Sequence, residues 1–229
     1  MQLPVFNSGG FRRALCFQEI LSEVGFDGGR PIDEAFFRAR ISGRHNPEIA
    51  ADLFPAWSVE QHMVFYTDKE QRFRDLAGSQ LQRTPGLTEW IDWLRRRGVR
   101  MAAVTNAPRA NTELMLAALG LDKEFEVIVL GEECARAKPH PDPYLRAMEL
   151  IGVAPEESLV IEDSPAGLRA AVAAGVAAVG ITTGQPRDVL LAAGACLLVD
   201  DFHQLLQVAL ADASSKEEGA AVEPLEVRS

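Results

Sequence analysis

Leu159-Val160-Ile161-Glu162-Asp163-Ser164-Pro165 is an apolar run that ends in two adjacent carboxylates and then in a helix start. An unbroken apolar run without alternation is what a strand covered on both faces requires. Ser164 before Pro165 is a standard opening for a helix. The same unit repeats in both directions. A helix over 141–151 leads into strand 158–162, one over 165–174 into strand 176–182, and one over 187–193 into strand 196–199. Upstream, a helix over 87–97 precedes strand 100–105, and one over 111–119 precedes strand 126–130, with Val127-Ile128-Val129-Leu130 at its centre. Repeated units of this kind predict an α/β fold, a doubly wound parallel sheet with right-handed crossovers. Ligands of such sheets bind beyond the carboxyl ends of the strands. Thr105 and Asp163 lie just past two of those ends, so topology alone places a site there.

The rhythm differs before residue 84. A helical pattern over 14–24 ends at Gly25, and 26–83 carries helical spacing over 32–40, 46–53 and 58–81 with no strand-like run. Ser58, with Glu60-Gln61 in the following turn, reads as an N-cap, and Pro85-Gly86 closes the segment. The expected organisation is therefore an α/β core of 1–25 and 84–211, an inserted helical lobe of 26–83, and a disordered tail of 212–229. The tail is small, charged and without pattern.

A chain of 229 residues, 47% hydrophobic, can bury a full core. Its net charge of −10 argues against a nucleic-acid or anionic-membrane partner. Cys16, Cys134 and Cys196 form no C-x-x-C pair, and an odd count suits a reducing compartment. No apolar run approaches the roughly 20 residues of a membrane span, and the N-terminus has neither a signal-peptide core nor a transit-peptide pattern. These features predict a cytoplasmic protein.

Several residues have a chemical and a structural reading that the sequence leaves side by side. Glu162 and Asp163 suit a hard cation such as Mg²⁺, or simply cap the next helix. Lys138, in Lys138-Pro139-His140-Pro141, could neutralise a phosphate or be an exposed loop charge. Thr105 and Asn106 could grip a phosphate oxygen or satisfy the amides of a turn. His140 reads as a turn residue. Gly167 would let the helix after Asp163 pack closely, or is an ordinary small helix residue.

In order and spacing, Ala102-Ala103-Val104-Thr105-Asn106, Ala137-Lys138-Pro139 and Val160-Ile161-Glu162-Asp163-Ser164 resemble motifs two, three and four of the haloacid dehalogenase-like hydrolase superfamily. The resemblance covers roughly residues 11–210. Segment 26–83 falls where the four-helix cap of β-phosphoglucomutase-like members is inserted. Val24-Gly25-Phe26, Ile41-Ser42-Gly43-Arg44-His45-Asn46 and Ala103-Val104-Thr105-Asn106-Ala107-Pro108-Arg109 look closest to plant small sugar-phosphate phosphatases. The resemblance implies Mg²⁺-dependent hydrolysis of a small phosphorylated sugar or polyol by a monomer, through an aspartyl-phosphate. It assigns the phosphate to Thr105 and Asn106, charge stabilisation to Lys138 and the metal to Asp163 and Glu162. It makes Arg44, His45 and Asn46 the cap loop over the substrate, with Arg44 the leading contact.

That family opens with an Asp-x-Asp-Gly-Thr strand, whereas this chain reads Met1-Gln2-Leu3-Pro4-Val5-Phe6-Asn7-Ser8-Gly9-Gly10, with no carboxylate before Glu19. Both catalytic aspartates are missing, and one magnesium ligand with them. Only Gln2–Phe6 could stand in for the central strand, and Pro4 lacks the N–H such a strand needs. Normal sequence resumes at Phe11. That favours a shortened or mis-started version of an active phosphatase over a non-catalytic sugar-phosphate-binding or regulatory relative.

Overall fold

The computed structural model of the protein describes residues 9–77 and 81–220. Five strands alternate with helices as the apolar runs predict. β1 (Ala102–Thr105) pairs in parallel with β2 (Val127–Leu130), Val104 lying opposite Val129. β3 (Leu159–Glu162), β4 (Ala177–Ile181) and β5 (Leu197–Val199) form a second parallel set, with Ile161 opposite Val179 and Val179 opposite Leu197. Successive residues of each strand face opposite sides. Ala103 and Ile161 join Trp90 and Leu94 of α5 (Leu87–Arg96), Leu116 of α6 (Arg109–Ala118) and Phe202 and Leu205 of α10 (Phe202–Ala220). Ala102, Val104 and Val160 join Tyr144 and Met148 of α7 (Asp142–Ile151), Leu168 of α8 (Pro165–Ala173) and Leu190 of α9 (Arg187–Ala192). Both helical layers run across the two strand sets, so helices cover both faces of one parallel assembly.

The described strands pair in parallel throughout, as the doubly wound sheet expected from the sequence requires. They give a two-stranded and a three-stranded sheet with no ladder between β1 and β3. The Gln2–Phe6 segment named for the centre lies outside the described residues. Lys138 joins the carboxyl ends of β1 and β3. Met101 O accepts from Glu126 N on the β2 side, so by alternation the backbone groups of Ala102 and Val104 face away from β2. Each buried group left unsatisfied there would cost about 1–3 kcal/mol. Val104 O is satisfied by a side chain, the ammonium of Lys138 at 2.9 Å.

Four helices make the lobe above the strand ends: α1 (Gly9–Glu23), α2 (Glu34–Arg40), α3 (Asn46–Leu53) and α4 (Val59–Ala77). Asp33 caps α2 by accepting from Phe36 N at 2.7 Å. Ser58 and Gln61 bond reciprocally ahead of α4, the capping box that the sequence signals. The lobe's core is aromatic, with Phe17, Ile20, Leu21, Phe37, Ile41, Ile49, Phe54 and Phe65 buried together. Phe17, Ile20 and Leu21 belong to α1, which the sequence reading grouped with the α/β core. The difference is physical: the apolar stripe of α1 faces α4 instead of the sheet.

Pro85-Gly86 joins lobe to core. Gly86 has φ 78°, and a Cβ there would lie within 2.6 Å of Phe202 C, while Phe202 N donates to Pro85 O at 3.0 Å. Gly86→Ala should cost about 2–4 kcal/mol through backbone strain and overpacking. A urea melt within 1 kcal/mol of the parent would contradict this packing.

The tail expectation also needs revision. Residues 212–220 are helical, continuing α10. Phe202 and Leu205 anchor the base of that helix in the core, and Ala213, Lys216, Glu217 and Glu218 supply helix-forming residues to extend it. Residues 221–229 lie outside the described residues. Among the described residues no helix is long and apolar enough to cross a membrane.

Candidate active site

Three strand-end segments converge beneath the lobe. Lys138 is 4% exposed, and its ammonium bonds Val104 O on β1 and Glu162 Oε1 on β3, the latter at 2.6 Å, while lying 4.9 Å from the centre of the Tyr144 ring. Among the described residues it bridges β1 and β3 at their carboxyl ends. Asn106 holds the Lys138 backbone from both sides: its Oδ1 accepts from Lys138 N at 3.2 Å and its Nδ2 donates to Lys138 O at 3.0 Å. The Thr105 hydroxyl oxygen accepts from Ala107 N at 3.0 Å, which sets the turn that aims Asn106. In the structure Thr105 and Asn106 thus shape the turn and orient Lys138.

Glu162 is turned inward. Oε1 accepts from Lys138 and from Tyr144 Oη at 3.1 Å, and Oε2 accepts from Asp163 N, Ser164 N and Ser164 Oγ at 3.0, 3.1 and 3.0 Å. Ser164 Oγ in turn accepts from Gly167 N at 3.1 Å to cap α8. A Cβ at Gly167 would overlap the Glu162 carboxylate, so this glycine is required by close approach. Burial pushes the Glu162 carboxyl up, but the Lys138 charge and hydrogen bond and the Ser164 donors pull it below its ordinary value. Asp163 behaves oppositely. Burial and the neighbouring Glu162 charge raise it to about 7, against a smaller pull from Lys138. Burial, then Glu162, keeps the Tyr144 phenol protonated, well above its usual range.

The lobe closes over this cluster through its 43–46 loop. Asn106 Nδ2 reaches Gly43 O at 3.5 Å, and a Cβ at Gly43 would lie 3.0 Å from Ser164 Cβ. Arg44 is held by Asp52 Oδ2 at 2.7 Å and by Arg40 O at 2.8 Å. His45 occupies the N-cap position of α3. Asn46 points the other way, into a buried polar cluster in which it donates to Glu70 at 2.7 Å and accepts from Lys69 at 3.2 Å. Glu70 also accepts from Asn111 of α6, tying lobe to core.

A model of haloacid dehalogenase-like hydrolases matches residues 14–181, well over half of the chain. The chain belongs to the haloacid dehalogenase-like hydrolases. Within this family it is 30% identical over 178 residues to the phosphorylated carbohydrates phosphatase of Thermotoga maritima, covering 75% of this chain and 80% of that protein. It is 42% identical to the CbbY protein of Rhodobacter capsulatus over 112 residues, 47% of this chain and 49% of that one. For several curated relatives the matched stretch thus spans about half their length. CbbY from Rhodobacter sphaeroides in complex with xylulose-1,5-bisphosphate superposes with a TM-score of 0.74 at 26% identity, covering 86% of this chain and 90% of that one.

The described residues of this hydrolase-family chain do not complete a magnesium site. No group of three or more His, Cys, Asp or Glu side chains converges among them, and both Glu162 oxygens already accept from protein donors. Read from the sequence as a metal ligand, Glu162 serves here as the counter-ion of Lys138 and the acceptor of the β3–α8 turn. Asp163 remains beside it.

Sequence reasoning missed Tyr144 and the Lys69–Glu70–Asn111 cluster. Lys69 carried a readable signal, because it lies at i+4 between Phe65 and Phe73 on the buried stripe of α4. A fully buried lysine there demands a partner. Tyr144 carried none; only the turn through Pro139 and Pro141 returns it to Glu162.

Proposed function

We propose that the chain binds a small phosphorylated sugar or polyol at the carboxyl ends of β1 and β3, beneath the lobe acting as a cap, and that its reaction class is phosphomonoester hydrolysis. The observation that carries this reading is the buried Lys138 ammonium. It is fixed between both strand sets by Asn106 and Glu162, under a loop whose Gly43 O lies 3.5 Å from Asn106 Nδ2. A rigid cation at two strand ends suits an anion whose charge must be held still. Thr105 and Asn106 lie at the rim, where their turn amides meet the phosphate, and Arg44 reaches the distal oxygens. The Thermotoga and CbbY relatives support the substrate class.

On this reading the nucleophile is the missing part. The sequence has no Asp or Glu before Glu19, and Glu162 is committed to Lys138. The chain therefore holds the ester and turns it over slowly, as a cytoplasmic monomer. We propose that Mg²⁺ joins only when a carboxylate is supplied beside Asp163. Calorimetric titration should show no Mg²⁺ binding tighter than about 1 mM, a free energy of roughly −4 kcal/mol. The same chain should bind a sugar phosphate at least tenfold tighter than the free sugar. Arg44→Ala should weaken that binding about tenfold, or roughly 1.4 kcal/mol. Equal affinity for sugar and sugar phosphate would sink the reading.

A further inference from the structure

The end of the lobe away from the α/β core carries a groove between α1 and α4. The second half of α4 meets the core: Phe73 packs with Cys16 and Met115 of α6, and Glu70 and Arg74 bond Asn111. The groove lies on the first half. Val64 and Phe65 of α4, Ile20 of α1, Val24 just past its end and the Trp57 ring surround a cavity of about 350 Å³. Trp57 stacks on Phe54 with ring centres 3.9 Å apart, which fixes the apolar wall. Val64 is 71% exposed and Val24 40% exposed, so this floor faces solvent. Carboxylates bracket it. Glu60 stands at one end, held below its ordinary value by its own backbone N–H and by Ser58. Glu23 and Asp68 stand at the other and share Arg72, which donates to Glu23 at 2.8 and 2.7 Å and to Asp68 at 3.0 Å. Among the described residues the lining thus sets three carboxylates against one guanidinium. Glu60 and Asp68 are eight residues apart on one helix, about 12 Å along its axis. Exposed apolar surface rimmed by charge marks an interaction site.

We infer that this groove docks a basic amphipathic helix of another protein. The helix lays its apolar stripe on Val64, Phe65 and Trp57, and sets two Lys or Arg side chains at Glu60 and at the Glu23–Asp68 pair. Seven or eight residues of helix span the distance between those charges, with apolar positions at i, i+3 and i+4 between them. An extended segment covers the same length in about four residues and turns only half of its side chains to the groove. Charge selects against other occupants. A second copy of this chain would bring the same three carboxylates onto themselves. The chain's segments outside the described residues do not match either. Residues 1–8 and 78–80 contain no Lys or Arg, and 221–229 has two glutamates against one arginine. The rim carboxylates give the partner its orientation and a faster encounter, and the apolar floor gives the affinity. The groove shares no residue with the Lys138 cluster, so this inference does not depend on the phosphatase reading.

The test uses the full chain and labelled sixteen-residue helical peptides, with binding read by fluorescence anisotropy and hydrogen exchange by mass spectrometry. The probe has leucines along one face and two lysines seven residues apart beside them. It should slow exchange in 57–68 at least tenfold, and replacing both lysines by glutamate should weaken binding at least tenfold. Val64→Glu, at an exposed position that leaves the fold intact, should weaken the lysine peptide to the same extent. Glu60→Lys should lose the lysine peptide and recover affinity for one whose facing lysine is glutamate, a swap that neither misfolding nor general adhesion produces. Three results would overturn the proposal. One is equal binding of the lysine and glutamate peptides. Another is unchanged binding in Val64→Glu with no recovery in the swap. The third is protection of 57–68 that rises with chain concentration and ignores the peptide, which would assign the groove to a second copy.

Discussion

Lys138→Ala is expected to destabilise the protein by about 3–5 kcal/mol, because it leaves the Glu162 carboxylate buried without its counter-charge. Side-chain exposures of 5% and 3% leave water little access to replace the lost partner. For a chain of this size the loss corresponds to a fall in Tm of roughly 8–15 °C. Adding Glu162→Gln should recover at least half of it, since a neutral amide still accepts from the Asp163 and Ser164 N–H groups while removing the stranded charge. The pH dependence carries a definite sign. Glu162 titrates below its ordinary value of 4.5 in the folded state, so its contribution is present above that value and is lost as pH falls through the depressed folded one. In Lys138→Ala that acid-side slope should flatten or reverse. Urea melts of parent, single and double variants from pH 3 to 7 form the cycle. A single variant within 1 kcal/mol of the parent would mean that the Lys138–Glu162 bridge does not hold the two strand sets together.

Replacing Met1–Gly10 by a strand ending in Asp-x-Asp-Gly-Thr is expected to raise phosphate release from small sugar phosphates by about 10³–10⁶-fold, the range that separates a site with its nucleophile from one with positioning alone. The parent keeps a slow rate, because Lys138 and the Thr105-Asn106 turn still position the ester and stabilise charge. The gained activity should require Mg²⁺ and vanish on Asp163→Asn, a substitution that leaves the Lys138–Glu162 bridge intact. Phosphate release from a panel of sugar phosphates, with and without Mg²⁺, measures all of this. If the parent already turns over at roughly 1–10³ per second, another carboxylate performs the attack and the proposed defect is wrong.

Much of the α/β body was legible because its determinants are local. The apolar runs around Val129, Ile161 and Val179 mark strands covered on both faces, and Pro-Gly and Ser-Pro mark where the chain turns. Ser58 with Gln61 specifies a helix start from four residues. The candidate site was legible as a set of strand-end residues, since Thr105, Lys138 and Asp163 each follow from where a strand or turn stops. What each side chain does there was not legible. Glu162 and Asp163 are neighbours in sequence, yet one is pulled below its ordinary value by its bond to Lys138 and the other is raised to about 7 by burial and the Glu162 charge.

The sequence by itself determined the order of helices and strands, the parallel direction of the sheet and the strand ends that meet at the site. Those depend on periodicity and turn chemistry within a dozen residues. Only the tertiary structure decided that α1 packs into the helical lobe and that Lys138 joins the end of β1 to Glu162 at the end of β3. These are contacts between segments 24 or more residues apart, made by burial and charge pairing across the fold, and no local spacing encodes which of two adjacent carboxylates a distant ammonium will meet.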